Sequence, residues 1–420
     1  MRTAFIIIAL LGLLYFTLKK RRFDFIALAY FSSCFYFLPG FSGYVLDWTL
    51  ERKIESSIVP QVYWVMIIVL LVLIITAFLN DSYPIRRTYT LSFGGFEKHA
   101  SKIFLQIMFL IAIAGFAITV LKLGSTLLES KRTIIEAKGR YYNFWIYPAS
   151  IAAIMAYYER KMFILLCSFA LLILDVFLMN ERTSIVMVII SIFVLALYNK
   201  GRIRLIKYWK LGIIFSIIGL FFFMFALIRN PLKEKDWQGV KSILNREGVI
   251  MHSITHSEPY TTQAILNKFF TTNYKADPKQ ITSSFYSIIP FGTEFGIEFE
   301  DFHVWEKDLF YEELEHGRMA ANIWAQLWSI GRWPLLISGA LVYGILTLLG
   351  SRILTVQNST SKVISVLFMS FISFYIHRNH VLSMIAIERR IIFLTLFTLF
   401  LSIIIYLNAL KKNHEEDYHV

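Results

Sequence analysis

Eleven apolar runs decide what this chain can fold into. They lie near residues 3–18, 23–40, 62–79, 103–121, 141–158, 162–179, 184–198, 211–228, 334–350, 362–377 and 390–409. Several approach the ~20 residues with which a helix crosses a ~30 Å hydrocarbon core. Lipid offers no partner for backbone N–H and C=O groups, so continuous apolar runs of this length must satisfy them internally, as helices. With 57% of residues hydrophobic, no soluble core could hide the remainder. The expected fold is therefore an all-α polytopic integral membrane protein with about 11 transmembrane helices. Its expected parts are a bundle of about eight helices over 1–228, a large extracytoplasmic helical insert over 229–333, and about three helices over 334–420.

The first run does not read as a cleavable signal. Its charges, Lys19-Lys20-Arg21-Arg22, follow the apolar segment, and no small-residue cleavage site is visible. The two cysteines, Cys34 and Cys167, both fall inside apolar runs, which suits small packing residues and not a disulfide framework.

The net charge of +13 sits mainly at the ends of the runs. Anionic headgroups and the positive-inside rule account for much of it, without nucleic acid. With Lys19–Arg22 cytoplasmic, that side collects 19 Lys and Arg, against 12 in the short opposite segments. This predicts an outside N-terminus and an inside C-terminus. Arg makes up 8 of the 19 but 8 of the 12. Lys serves topology equally well, so the outer excess of Arg points to its planar fork, which grips phosphate at two points.

The insert is polar yet rich in Trp, Tyr and Phe, unlike a disordered segment. The stretches 240–254 and 258–272 suit short amphipathic helices, and 319–331 reads as a helix entering the ninth run. Nine acids between 294 and 315 match no metal-ligand spacing and read as a solvated face. No Walker loop, HExxH, GxSxG or dinucleotide fingerprint is present. No cofactor and no metal are expected.

Two places bring charge to the outer side. "FLMNERTSIVMVII", 177–190, sets Glu181 and Arg182 in a tight turn between two runs, with Asp175 about two helical turns earlier. The turn suits either an interfacial anchor whose Arg snorkels or the rim of a polar face inside the membrane surface. "IHRNHVLSMIAIERR", 376–390, carries His377, Arg378, His380, Glu388, Arg389 and Arg390. A reversed last helix would instead put this cluster in the cytoplasm. In "HGRMAAN", His316 is a candidate general base, with His252, His256 and His303 as rivals.

The Arg182-Thr183-Ser184 turn, the late insert closing on "HGRMAANIWAQLWSIGRWPLL" (316–336) and "HRNHVLSMIAIERRIIF" (377–393) together resemble the Wzy family of bacterial O-antigen and related repeat-unit polymerases. The resemblance covers most of the chain by layout, and Asn180-Glu181 stands where glycines often precede the turn Arg. It implies glycosyl transfer on the periplasmic face of the inner membrane. The donor would be a glycan on undecaprenyl pyrophosphate, and the acceptor a hydroxyl of a second lipid-linked repeat unit. A chain-length regulator and a flippase would be its partners beside the lipid bilayer. On that reading Arg182, Arg378, Arg389 and Arg390 hold pyrophosphate, Arg229 and Arg140 stand as second choices, and His316 is the base. An O-antigen ligase, with another acceptor, is the alternative of the same class. A flippase or transporter is the alternative from another class, against which stands the lack of repeated halves.

Overall fold

The computed structural model describes every residue except 50–51, 84–94, 129–132, 135–136, 138, 140, 180, 234, 290–320, 356–358 and 418–420. The protein is a helical membrane protein, and each apolar run lies on helix. Among the described residues five helices are long and apolar enough to cross a membrane: Pro60–Ser82, His99–Leu123, Ile323–Ile353, Thr360–Arg378 and Val381–Ala409. Others are shorter. Arg2–Leu18, Met162–Leu178 and Thr183–Asn199 have 17 residues each, about 25 Å at 1.5 Å per residue, a little under the hydrocarbon thickness. Phe25–Tyr36 has only 12, because a second short helix, Leu38–Ser42, takes over at Pro39. The chain also forms one antiparallel hairpin that apolar periodicity does not reveal. Tyr44–Thr49 pairs with Arg52–Ser57, in register from Tyr44 opposite Ser57 to Thr49 opposite Arg52.

The residues divide into two compact units. The first comprises Met1–Ser82, Gly201–Ile345 and Ser373–Met384. In it Pro60–Ser82 packs on Arg2–Leu18 and Phe25–Tyr36, while Glu258–Thr271 packs on the hairpin. Tyr30 lies against Gly12 and donates its hydroxyl to the Ala9 carbonyl at 2.8 Å. Asp24 caps the second helix by accepting from the Ala27 N–H at 3.0 Å. It also pairs with Arg21 at 2.9 Å. Arg21 is 3% exposed, so one member of the basic Lys19–Arg22 run serves a buried ion pair. Lys19 meets Asp81 at 3.1 Å.

In the insert, the stretch 240–254 is not one helix. Trp237–Leu244 and Val249–Thr255 are separated where Gly248 adopts a positive φ of 69°. Glu258–Thr271 and Lys279–Tyr286 follow. Ile323–Ile353 begins on Asn322, whose Oδ1 accepts from the Trp324 and Ala325 N–H groups. That helix breaks at Gly331 and Arg332, where the Arg332 φ is +53°. Pro334 explains the position, since its ring excludes the hydrogen bond to the Ile330 carbonyl. Arg332 is held in this costly conformation by the Trp328 ring, 4.0 Å from its guanidinium, and by donating to the Asn273 carbonyl at 3.1 Å.

The second unit comprises Tyr83–Lys200, Leu346–Ile372 and Ile385–Val420. Its centre is Tyr142–Tyr158, buried on nearly every side and packed on Gly95–Leu123, Met162–Leu178 and Thr183–Asn199. Small Ala149, Ala152, Ala153 and Ala156 let the helices approach closely, the usual device where lipid supplies no hydrophobic drive between helices. At Gly115 the approach is closest. A Cβ there would fall inside the van der Waals radii of the Phe144 carbonyl and the Trp145 nitrogen.

Candidate functional site

Polar residues recur along one stripe of the otherwise apolar Tyr142–Tyr158 helix. Tyr142, Asn143, Ile146, Tyr147 and Ser150 follow the spacing that keeps side chains on one helical face. In the structure all five line a cavity of about 370 Å³ inside the second unit. That volume lies within the ~300–1,000 Å³ range of small-molecule sites. Glu181, Thr183 and Ser184 enter from the tight turn, and Ile387, Arg390 and Ile391 from the last helix.

Tyr142 joins the turn to the helix before it. Its hydroxyl stands 2.7 Å from Asp175 Oδ1 and 3.0 Å from Glu181 Oε2. Asp175 is fully buried, and a single phenolic hydrogen serves two carboxyl groups. The sequence suggested a polar face containing Asp175 and the turn. The structure supplies its third member, Tyr142, from 33 residues away. Arg182 itself is the residue preceding the Thr183–Asn199 helix and makes no capping bond with its side chain. Opposite, Arg390 Nη1 reaches the Tyr147 hydroxyl at 3.5 Å. Arg390, Glu181 and Glu388 all lie within electrostatic range of that hydroxyl.

The last helix begins earlier than its apolar run. It starts at Val381 and not near residue 390, because Val381, Leu382, Met384, Ile385 and Ile387 already give it an apolar face. Glu388, Arg389 and Arg390 are thus in the body of a helix, past its second turn, and not in the loop before it. The connection reduces to the short turn Ile376–Arg378 with Asn379 and His380.

The predicted site residues fall in different places. Arg182, Arg389 and Arg390 belong to the second unit, and Arg390 lines the cavity. Arg378 belongs to the first unit, where it pairs with Glu258 at 2.8 Å. His316 and Arg140 lie outside the described residues, and for Arg229 the description stops at its helical backbone. Among the rival histidines, His252 and His256 lie with ring centroids 3.7 Å apart and planes tilted by 38°, and His303 lies outside the described residues. Among the described residues no three His, Cys, Asp or Glu side chains gather as a metal site would require.

His377 proves to be a structural residue. The Trp324 Nε1–H can only donate, and it meets His377 Nδ1 at 2.9 Å. That fixes Nδ1 as the acceptor and leaves the proton on Nε2, which stands 2.9 Å from Ser33 Oγ. Ser33 passes its own hydrogen to the Ala29 carbonyl at 2.8 Å. Both ring nitrogens are thus engaged, with the ring neutral. His377→Leu is expected to strand the Trp324 N–H and cost about 2 kcal/mol, read as a lower unfolding midpoint in detergent. Turnover per folded molecule should stay as in the parent; a large loss would assign the ring a chemical role.

Comparison with protein-family models, with curated proteins and with solved structures finds no match to this chain.

Proposed function

We propose that this chain is a membrane glycosyltransferase, an O-antigen or related surface-polysaccharide polymerase of the kind its motifs resemble. It joins oligosaccharide repeat units carried on a polyprenyl pyrophosphate at the periplasmic face of the bacterial inner membrane. The eleven apolar runs all cross that membrane, the shorter helices by drawing the bilayer thinner or by extending into their turns.

The observation that carries this reading is the cavity of the second unit. An arginine and a hydroxyl-bearing turn open into a pocket walled by apolar helices. In transfer from a lipid pyrophosphate, the bond from the anomeric carbon to phosphate oxygen breaks and charge gathers on the leaving group. Fixed donors in a site of low dielectric stabilise that charge better than water does. Arg390 supplies a permanently charged fork at the cavity wall, and Arg182 sits at the turn beside it in sequence to Thr183 and Ser184. The acceptor hydroxyl attacks from the other side of the anomeric carbon. The Tyr142 and Tyr147 rings offer flat faces for sugars.

The test is the electrophoretic profile of surface polysaccharide from cells lacking the gene. The expected result is a ladder collapsed to a single repeat unit on the lipid core. Loss of every band, the single unit included, would favour a ligase or flippase. An unchanged profile would sink the polymerase reading.

A further inference from the structure

Glycosyl transfer to a hydroxyl needs a group that takes its proton, and the cavity offers few. Among the described residues that line it, Glu181 is the one carboxyl group and none is a histidine. The tyrosine, serine, threonine and asparagine side chains accept protons poorly near neutral pH, and a guanidinium has no acceptor at all. Glu181 is half-buried. It belongs to the turn just before the Thr183–Asn199 helix, so it meets the cavity without being sealed in apolar packing.

Two other segments set its position. The Tyr142 hydroxyl stands 3.0 Å from Glu181 Oε2 and is itself held 2.7 Å from Asp175 Oδ1. Asp175 is fully buried in the Met162–Leu178 helix, so the phenol is a fixed post against which the Glu181 carboxyl rests. One phenolic hydrogen faces two carboxyl groups, which leaves the trio capacity for a further proton. Glu181 and Arg390 both lie within electrostatic range of the Tyr147 hydroxyl. A proton acceptor and a permanent cation therefore border one space.

We propose that Glu181 is the general base of the transfer reaction, accepting the proton of the attacking sugar hydroxyl, with Tyr142 and Asp175 as its positioning residues. This rests on reading the cavity as the lipid-pyrophosphate site. In the step, the hydroxyl oxygen bonds to the anomeric carbon as its hydrogen passes to the Glu181 carboxylate. The bond from that carbon to the pyrophosphate oxygen breaks, and its electron pair leaves with the pyrophosphate. Arg390, on another element of the cavity wall, faces the departing charge. The proton then passes to water or to the released pyrophosphate, restoring the carboxylate. The assignment moves the proton acceptor from His316 in the insert to the turn that carries Arg182.

Two replacements test it, in full-length protein purified in detergent, with a polyprenyl-pyrophosphate-linked oligosaccharide as both donor and acceptor. Glu181→Gln keeps the size and still accepts from Tyr142, but cannot take a proton. It is expected to bind the donor within about threefold of the parent and to turn over at least about 100-fold more slowly. The pH profile separates chemistry from packing. A base works in its ionised form, so the parent should slow as the solution is made acid, and the residual turnover of Glu181→Gln should lack that fall. Glu181→Asp keeps a carboxylate set back by one methylene; it should slow the reaction yet retain the fall. Turnover within about threefold of the parent in Glu181→Gln, or an acid fall that survives in it, would overturn the base assignment and leave the polymerase reading standing. Loss of donor binding in Glu181→Gln would overturn it too, making Glu181 part of the binding surface. Should Glu181→Gln fail to fold, Glu181→Asp decides, since turnover equal to the parent's would show that the carboxylate's position is immaterial and sink the assignment. If the parent itself neither binds nor transfers this substrate, both readings fall together.

Discussion

On the polymerase function proposed above, Arg390→Lys should insert and fold like the parent chain and transfer glycan about 100-fold more slowly. Topology depends on positive charge, which lysine keeps. Pyrophosphate recognition depends on shape, which lysine lacks: an ammonium is a point charge, whereas the guanidinium offers two parallel N–H donors. Removing one donor aimed at developing charge commonly costs 10²–10³ in rate, about 3–4 kcal/mol. Arg390 is the place to look first because it lines the cavity and reaches the Tyr147 hydroxyl. The measurement is product formed from lipid-linked repeat units, normalised to the amount of protein in the membrane. Arg182→Lys makes the informative companion, since that side chain stands at the turn and is only half-buried. Full activity in both variants would reduce the two arginines to interfacial anchors.

Gly115→Val should have the largest effect on the folded state. Its first side-chain carbon would overlap the backbone of the Phe144–Trp145 peptide. Backbone cannot move aside as the end of a flexible side chain can, so the two helices must separate. The central Tyr142–Tyr158 helix would then lose its packing against Gly95–Leu123 along its length. A loss of about 3 kcal/mol or more is expected, enough to deplete the protein from membranes at growth temperature. Gly219→Ala is the control. Nothing lies within 4 Å of a Cβ at that position, and removing a helical glycine stabilises by about 0.5–1 kcal/mol. Equal yields of the two variants would show that the helices at Gly115 are not pressed together in the native state. The cavity gives this test a second reading, since five of its lining residues ride on the helix that Gly115 positions.

Much of the molecule was legible before any coordinates. Long apolar runs must become helices because lipid leaves their backbone no other partner, and every run lies on one. The tight turn at 179–182 was readable from the short gap between two runs, and Asp175 was readable as a costly ion inside an apolar segment. The polar stripe of Tyr142, Asn143, Tyr147 and Ser150 was also present as a helical spacing, although a tyrosine in a membrane segment carries little information alone. Other features were not available. Apolar periodicity is blind to Tyr44–Ser57, where pairing across a hairpin decides the structure. It misplaced the start of the last helix because the charges of Glu388–Arg390 break an apolar run without breaking a helix.

The sequence by itself determined that this is a helical membrane protein, where its apolar helical segments lie and which residue types crowd one stretch of chain. Those properties follow from neighbours in sequence and from the solvent the chain must enter. Only the tertiary structure decided how the charged groups divide their roles. It commits Arg378 to Glu258 and His377 to Trp324 and Ser33. It brings Tyr142 to Asp175 and Glu181, sets Arg390 in the cavity wall, and leaves Glu388 buried with no hydrogen-bond partner among the described residues. The electrostatic role of an ionisable side chain depends on what stands within a few ångströms of it and on how much water remains there. Both are fixed by contacts between residues tens to hundreds of positions apart.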